Sequence, residues 1–191
     1  MLAHLPVLEV VVPLMAAPLC VLLRDRRLAF LCALVAAWSS FGMAVEMLRQ
    51  VLAHGTILYE IGGWAAPYGI VYRVDEVAGF VLVIVSGIAA VVLTYAPKSM
   101  HAELPADRHY LFCAAYLLCL TGLLGMTITG DAFNVFVFLE ISSLASYVLI
   151  ALGRSRRALT AAYQYLILGS LGGTFILIGI GLMYMMTGTL N

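Results

Sequence analysis

The hydrophobic and polar positions divide the chain into six long apolar runs that are separated by short polar segments. Each run has about twenty residues or more, the length of helix that crosses a hydrocarbon layer of ~30 Å. The pattern therefore predicts an all-α integral membrane protein with a single transmembrane domain over residues 1–191. The six predicted spans cover about 5–23, 28–52, 76–95, 109–129, 131–152 and 158–186.

The segment between the second and third spans has a different pattern, in which turn-forming residues alternate with aromatic ones. The turn formers are Gly55, Gly62, Gly63, Pro67 and Gly69, and the aromatic residues are Tyr59, Trp64, Tyr68 and Tyr72. This alternation predicts a short extracytoplasmic β-hairpin with its aromatic rings at the level of the lipid headgroups. A polar loop is expected between the third and fourth spans, from Pro97 to Arg108.

Composition excludes two broad classes of protein. The chain is 64% hydrophobic and 10% charged, so that a soluble domain of 191 residues could not cover its apolar surface. The formal net charge is zero, which argues against nucleic acid as a partner.

The positions of the positive charges predict the orientation. Arg49 and Arg73 lie toward one side of the membrane, and the other cationic residues lie in loops on the opposite side. These eight are Arg24, Arg26, Arg27, Lys98, Arg108, Arg154, Arg156 and Arg157. By the positive-inside rule, we expect a multi-pass protein of the cell inner (plasma) membrane with both termini extracytoplasmic. A secretory signal would carry its positive charges before the first apolar run, and here they follow it.

The fifth span carries one acid near its middle. Glu140 lies nine residues after Asp131, the expected N-cap, and this places its carboxyl about 13 Å deep. An ionisable group at that depth is costly and is a functional hypothesis by default. Phe136, Ser143 and Tyr147 fall on the same helix face and would line a proton or ion path. The alternative is a protonated carboxyl that holds the helix bundle together.

The remaining polar residues favour less specific roles. Glu9 is expected near the outer end of the first span, within reach of the interface. Glu46 and Arg49 are three residues apart and either pair on a helix face or lie at the interface. The four cysteines (Cys20, Cys32, Cys113 and Cys119) are interpreted as small buried side chains. The four histidines (His4, His54, His101 and His109) show no metal-ligand spacing.

Small residues in the sixth span predict close contact with other helices. They are Gly169, Gly172, Gly173, Gly179 and Gly181. Glycine lets two helix backbones approach closely within a membrane, and Gly172 and Gly173 are the positions where we expect this most. Partners that complete the helix bundle are therefore expected.

Three stretches together resemble a known family of membrane subunits. They are TGDAFNVFVFLEISSLASYVLIALG (129–153), YQYLILGSLGG (163–173) with MYMMTGTLN (183–191), and the hairpin YEIGGWAAPYGIVYRVD (59–75). They resemble the proton-translocating antiporter-like subunits of Mrp-type cation/proton antiporters, respiratory complex I and membrane-bound hydrogenases. Within that family the chain is most similar to the Mrp D subunit, and it corresponds to the first part of a longer subunit.

The resemblance implies a role for Glu140 as the proton-handling acid, assisted by a lysine on a seventh helix. A nearby cation favours the ionised carboxyl, while burial favours the neutral one, so that a movable ion pair can load and release a proton. The chain departs from the family pattern in two ways. Gln164 stands where family members often carry a lysine, and Lys98, in a predicted loop, is the single lysine of the sequence.

Three functional hypotheses follow. The first is a proton-conducting subunit of a multisubunit Na+/proton antiporter, or alternatively of an NADH:quinone oxidoreductase or hydrogenase complex. The second is a structural module that no longer transports. The third, an enzyme acting on quinone, is the weakest, because the sequence has no flavin, haem or iron–sulfur ligand pattern. We therefore expect a transport subunit without a cofactor, with protons and Na+ as transported ions and a lysine supplied by its partners.

Overall fold

The computed structural model describes residues 4–64, 66 and 69–191. In this part of the chain, six helices are long and apolar enough to cross a membrane, which confirms the predicted fold class. They are α1 (Leu5–Leu23), α2 (Arg26–His54), α3 (Glu76–Glu103), α4 (His109–Ile128), α5 (Ala132–Ala151) and α6 (Arg156–Thr187). Short 3-10 turns cover Ile61–Gly63 and Ala106–Arg108.

Four helices begin at a short polar side chain that accepts a hydrogen bond from a backbone N–H of the first turn. This bond satisfies a donor that has no partner within the helix. The pairs are Asp25 with Leu28 N (2.9 Å), Asp75 with Ala78 N (2.9 Å), Asp131 with Asn134 N (2.7 Å) and Ser155 with Ala158 N (3.2 Å). The N-cap role predicted for Asp131 is therefore confirmed.

The predicted hairpin is present between α2 and α3. Strands β1 (Ile57–Glu60) and β2 (Val71–Val74) pair in antiparallel register, with Ile57 opposite Val74. Pro67, one of the expected turn formers, and Tyr68, one of the expected headgroup-level aromatics, lie outside the described residues. The hairpin lies beside the start of α1, where the His4 Nδ1 and the Tyr59 hydroxyl are 2.9 Å apart.

The third helix is longer than the predicted span. We expected a loop from Pro97, but α3 continues through this proline to Glu103, and the exposed Lys98 lies within the helix. Met100 and Leu104 beyond it are buried, so apolar packing holds the last turns in place. A proline in a membrane helix is tolerated where neighbouring elements support the backbone. The loop prediction was wrong over this stretch.

The bundle is organised around α4. This helix packs against α1, α2, α3 and α5, and its buried residues run along its whole length. At Gly122 the backbone of α5 approaches so closely that a Cβ atom would lie 2.6 Å from the Phe138 carbonyl oxygen. By contrast, α6 packs mainly against α5, and its described buried residues are Ala162 and Gly173. One broad apolar face of α6 therefore lies open.

Candidate functional site

The candidate site lies on α5, where the Asp131 cap begins the helix and Glu140 is near its middle. The Glu140 side chain is half-buried. The α5 sequence contains no lysine, arginine or histidine, so the helix itself offers no cation to this carboxyl. The acid thus lies midway along a spanning helix, as the spacing from Asp131 predicted.

Glu140 faces the seam between α5 and α6. Its Oε1 atom lies against the backbone of Gly173, where a Cβ atom would overlap it, and the Phe136 ring is close to the same point. The Tyr147 hydroxyl occupies the equivalent position over Gly169, one turn away on α6. Glycine at both positions gives the carboxyl and the phenol room that any larger residue would fill.

The structure brings together most of the polar face that we predicted. Phe136, Glu140 and Tyr147 meet at the α5–α6 seam, and the buried Tyr147 ring packs edge-on against Tyr165 with centroids 4.9 Å apart. Ser143 is half-buried on the same helix. Of the two α6 glycines singled out, Gly173 makes the close approach, whereas no described atom lies within 4 Å of a Cβ at Gly172.

The secondary candidates lie away from this seam. Gln164 is exposed on α6, nine residues from Gly173 and hence about 13 Å along the helix axis. Glu46 and Arg49 do pair on α2, with 3.9 Å between the Glu46 Oε2 and the Arg49 guanidinium. Arg49 is exposed and Glu46 is half-buried, and α2 packs against α1, α3 and α4. These three residues therefore do not join Glu140.

Two features were missed from the sequence. Glu9 is fully buried, and neither of its carboxylate oxygens has a hydrogen-bond partner among the described residues, so the prediction that it reaches the interface was wrong. The reason is that α1 packs against both α2 and α4, which cover this face. His101 and His109, at the ends of α3 and α4, meet edge-on with centroids 5.1 Å apart. The sequence signal that could have predicted this contact is the position of the two histidines on either side of the short connection between α3 and α4.

Comparison with known proteins relates the chain to one family. Residues 129–191, which contain the candidate site, match the family described as NADH:quinone oxidoreductase/Mrp antiporter, TM. The chain is also 41% identical over 194 residues to NADH-quinone oxidoreductase subunit N of Desulforudis audaxviator. The chain is therefore similar to the membrane subunits of the NADH:quinone oxidoreductase/Mrp antiporter family. It is accordingly a multi-pass membrane protein.

Both branches of the NADH:quinone oxidoreductase/Mrp antiporter family include relatives that match nearly the whole chain. The Na(+)/H(+) antiporter D subunit of Bacillus subtilis is 30% identical, and its alignment covers 97% of this chain. A chain in the structure of the Mrp complex from Dietzia sp. DQ12-45-1b is 27% identical, with a TM-score of 0.89 and 100% of this chain covered. The match spans 35% of that chain, 38% of the Desulforudis relative and 37% of the Bacillus relative.

Proposed function

We propose that the chain forms part of the proton-conducting membrane subunit of a multisubunit Na+/proton antiporter, in which Glu140 binds and releases the proton. The observation that carries this proposal is the position of the Glu140 carboxyl in the middle of α5, where Gly173 leaves space for it. It is half-buried beside the open α6. A protonatable group in such a place can exchange partners without disturbing the packed core.

Polar groups along the same seam support a path for the proton. The Tyr147 hydroxyl lies over Gly169, and Ser143 is on α5 between Tyr147 and Glu140. Hydroxyl groups both donate and accept hydrogen bonds, and so can pass a proton along a chain with intervening water. The Na+ of the proposed exchange is motivated by the Bacillus relative, which is named as part of a Na(+)/H(+) antiporter.

The open face of α6 supports the inference that partners complete the site. Large apolar side chains such as Phe175 and Leu168 are exposed on this helix, at 73% and 69% of their surface. We infer that further helices of the complex cover this face and supply a lysine opposite Glu140. A cation there would stabilise the ionised carboxyl and help to drive release of the proton. In this arrangement the hairpin and both termini are extracytoplasmic.

The test is Glu140→Gln in the assembled complex, measured by Na+-induced collapse of a proton gradient in everted membrane vesicles. We expect exchange to fall to background while the complex assembles normally, because an amide cannot take up the transported proton. Glu46→Gln is the matched control, since Glu46 is also a half-buried acid but lies on α2, away from the seam. Normal exchange in a well-assembled Glu140→Gln complex would refute the proposal.

A second candidate is a proton-pumping subunit of a redox-driven complex, which the match to NADH-quinone oxidoreductase subunit N favours. Purification of the native complex separates the two candidates. Co-purifying redox subunits and proton movement driven by NADH or hydrogen would select this second function. Exchange driven by a Na+ gradient alone would select the antiporter. A complex that assembles intact but shows neither activity would indicate that the chain is a structural module.

A further inference from the structure

A small cavity of about 180 Å³ lies at the end of the bundle opposite to the hairpin. It is unconnected with the Glu140 seam. Four basic residues line it, Arg26 and Arg27 from the start of α2 and His101 and His109 from the ends of α3 and α4. Its apolar lining includes Phe30 and Met100. Three helix ends thus build one pocket that is basic on one part of its wall and apolar on another.

His109 is the buried member of the four basic residues that line this cavity. This residue is 2% exposed, and in the part of the chain that the structure describes its Nε2 atom has no hydrogen-bond partner. A buried polar atom without a partner costs on the order of 1–3 kcal/mol, so such atoms usually bind a ligand, ion or water. His101 packs against the ring of His109 and fixes its position.

The charges around the cavity favour an anion as its ligand. The residues that line it include two guanidinium groups and two imidazoles, and no carboxylate is among them. The adjacent acid, Asp25, is already engaged because its carboxylate accepts hydrogen bonds from the backbone N–H groups of Leu28 and Arg27. These hydrogen bonds hold the pKa of Asp25 below its usual value, and the bond from Leu28 has the larger effect. Arginine is well suited to bind phosphate oxygens through paired hydrogen bonds.

We propose that this cavity binds the phosphate group of an anionic phospholipid. The basic residues are located at helix ends, which is the level of the headgroups, and Phe30 and Met100 offer an apolar wall for the glycerol and first acyl carbons. Basic pockets between membrane helices are known to hold anionic headgroups. Free phosphate shares the same chemistry but would make no use of the apolar wall.

The experiment measures binding of spin-labelled phosphatidylglycerol to the delipidated, purified complex, with phosphatidylcholine of the same acyl chains as comparison. Arg27→Gln tests the cavity, and Arg157→Gln is its matched control. Each arginine is the exposed second residue of its helix, and Arg157 lies outside the cavity. His109→Phe keeps an aromatic ring beside His101 but removes the unpartnered nitrogen.

We expect Arg27→Gln to weaken phosphatidylglycerol binding at least about threefold, as for the loss of one charge-assisted contact, and Arg157→Gln to leave it unchanged. His109→Phe should weaken it as well. Equal binding of phosphatidylcholine, or equal loss in both arginine variants, would overturn the proposal. Release of the lipid by millimolar inorganic phosphate would identify free phosphate as the ligand and overturn the assignment to lipid. If His109→Phe fails to fold, the comparison of Arg27→Gln with Arg157→Gln still tests the proposal.

Discussion

Two acids of the membrane helices, Glu9 and Glu140, lie in contrasting surroundings. Glu9 is fully buried within the α1–α4 part of the bundle and has no hydrogen-bond partner in residues 4–64, 66 and 69–191. Glu140 is half-buried at the α5–α6 seam, beside a helix whose outer face is open. The more deeply buried acid is therefore not the better transport candidate. The proposed function therefore selects Glu140 by its access to a path and to a partner, and not by its depth of burial.

The largest effect is expected where the packed region is tightest. A Cβ at Gly122 would lie 2.6 Å from the Phe138 carbonyl oxygen and from the Ser142 backbone nitrogen, and neither atom can move independently of α5. Gly122→Leu should therefore destabilise the protein by about 3 kcal/mol. Thermal unfolding in detergent would show this as a lower Tm.

Gly172→Leu is the matched control for Gly122→Leu, because nothing in the described chain lies within 4 Å of a Cβ at this position. We expect its Tm to stay close to that of the unmodified protein. Similar melting of the two variants would contradict the division into a packed region and an open flank. A Gly172→Leu chain that is stable but fails to join its complex would show that partners cover α6.

The next effect concerns Glu9. Replacing it with leucine removes a buried carboxyl that has no hydrogen-bond partner, and should stabilise the protein by about 1–3 kcal/mol. Glu9→Gln keeps an unpartnered polar group at the same place and should give little of this gain. The measurement is the Tm of each variant, followed by transport in the assembled complex. Loss of transport in Glu9→Leu would reveal a second proton site and remove the contrast with Glu140.

The smallest effect should come from the seam itself. A methyl group at Gly173 would displace the Glu140 carboxyl, the free end of a flexible side chain, and would leave the backbone in place. Gly173→Ala should therefore lower transport about threefold, a cost below ~1 kcal/mol, with a normal Tm. Gly172→Ala serves as control. A Gly173→Ala complex with unchanged transport would show that the seam does not position the acid.

Much of the fold follows from hydropathy alone. The six spans were predicted because runs of about twenty apolar residues have few alternatives to a membrane helix, and the hairpin because its glycines and aromatics alternate. The extent of α3 was not predicted. A proline is a strong local signal for the end of a helix. The burial of Met100 and Leu104, which overrides that signal, depends on tertiary packing and cannot be read from the local sequence.

The site was predictable to a lesser degree. The spacing of Phe136, Glu140 and Tyr147 along one helix identified a face, and the structure brings all three to Gly169 and Gly173. Spacing along one helix gives the depth of an acid but not which neighbours cover it. For this reason the position of Glu9 was misjudged, and the meeting of His101 with His109 across two helices was missed.

The start of α5 is tied to the hairpin end of the bundle by backbone contacts on two sides. The Gly130 N–H donates to the Val71 carbonyl of β2 (2.9 Å), and the Ala132 N–H donates to the Leu190 carbonyl just after α6 (2.8 Å). A piston movement of α5 along the membrane normal would break both bonds. The height of Glu140 is thereby fixed, so that under the proposed function its carboxyl would have to reach new partners by rotation about its own χ angles.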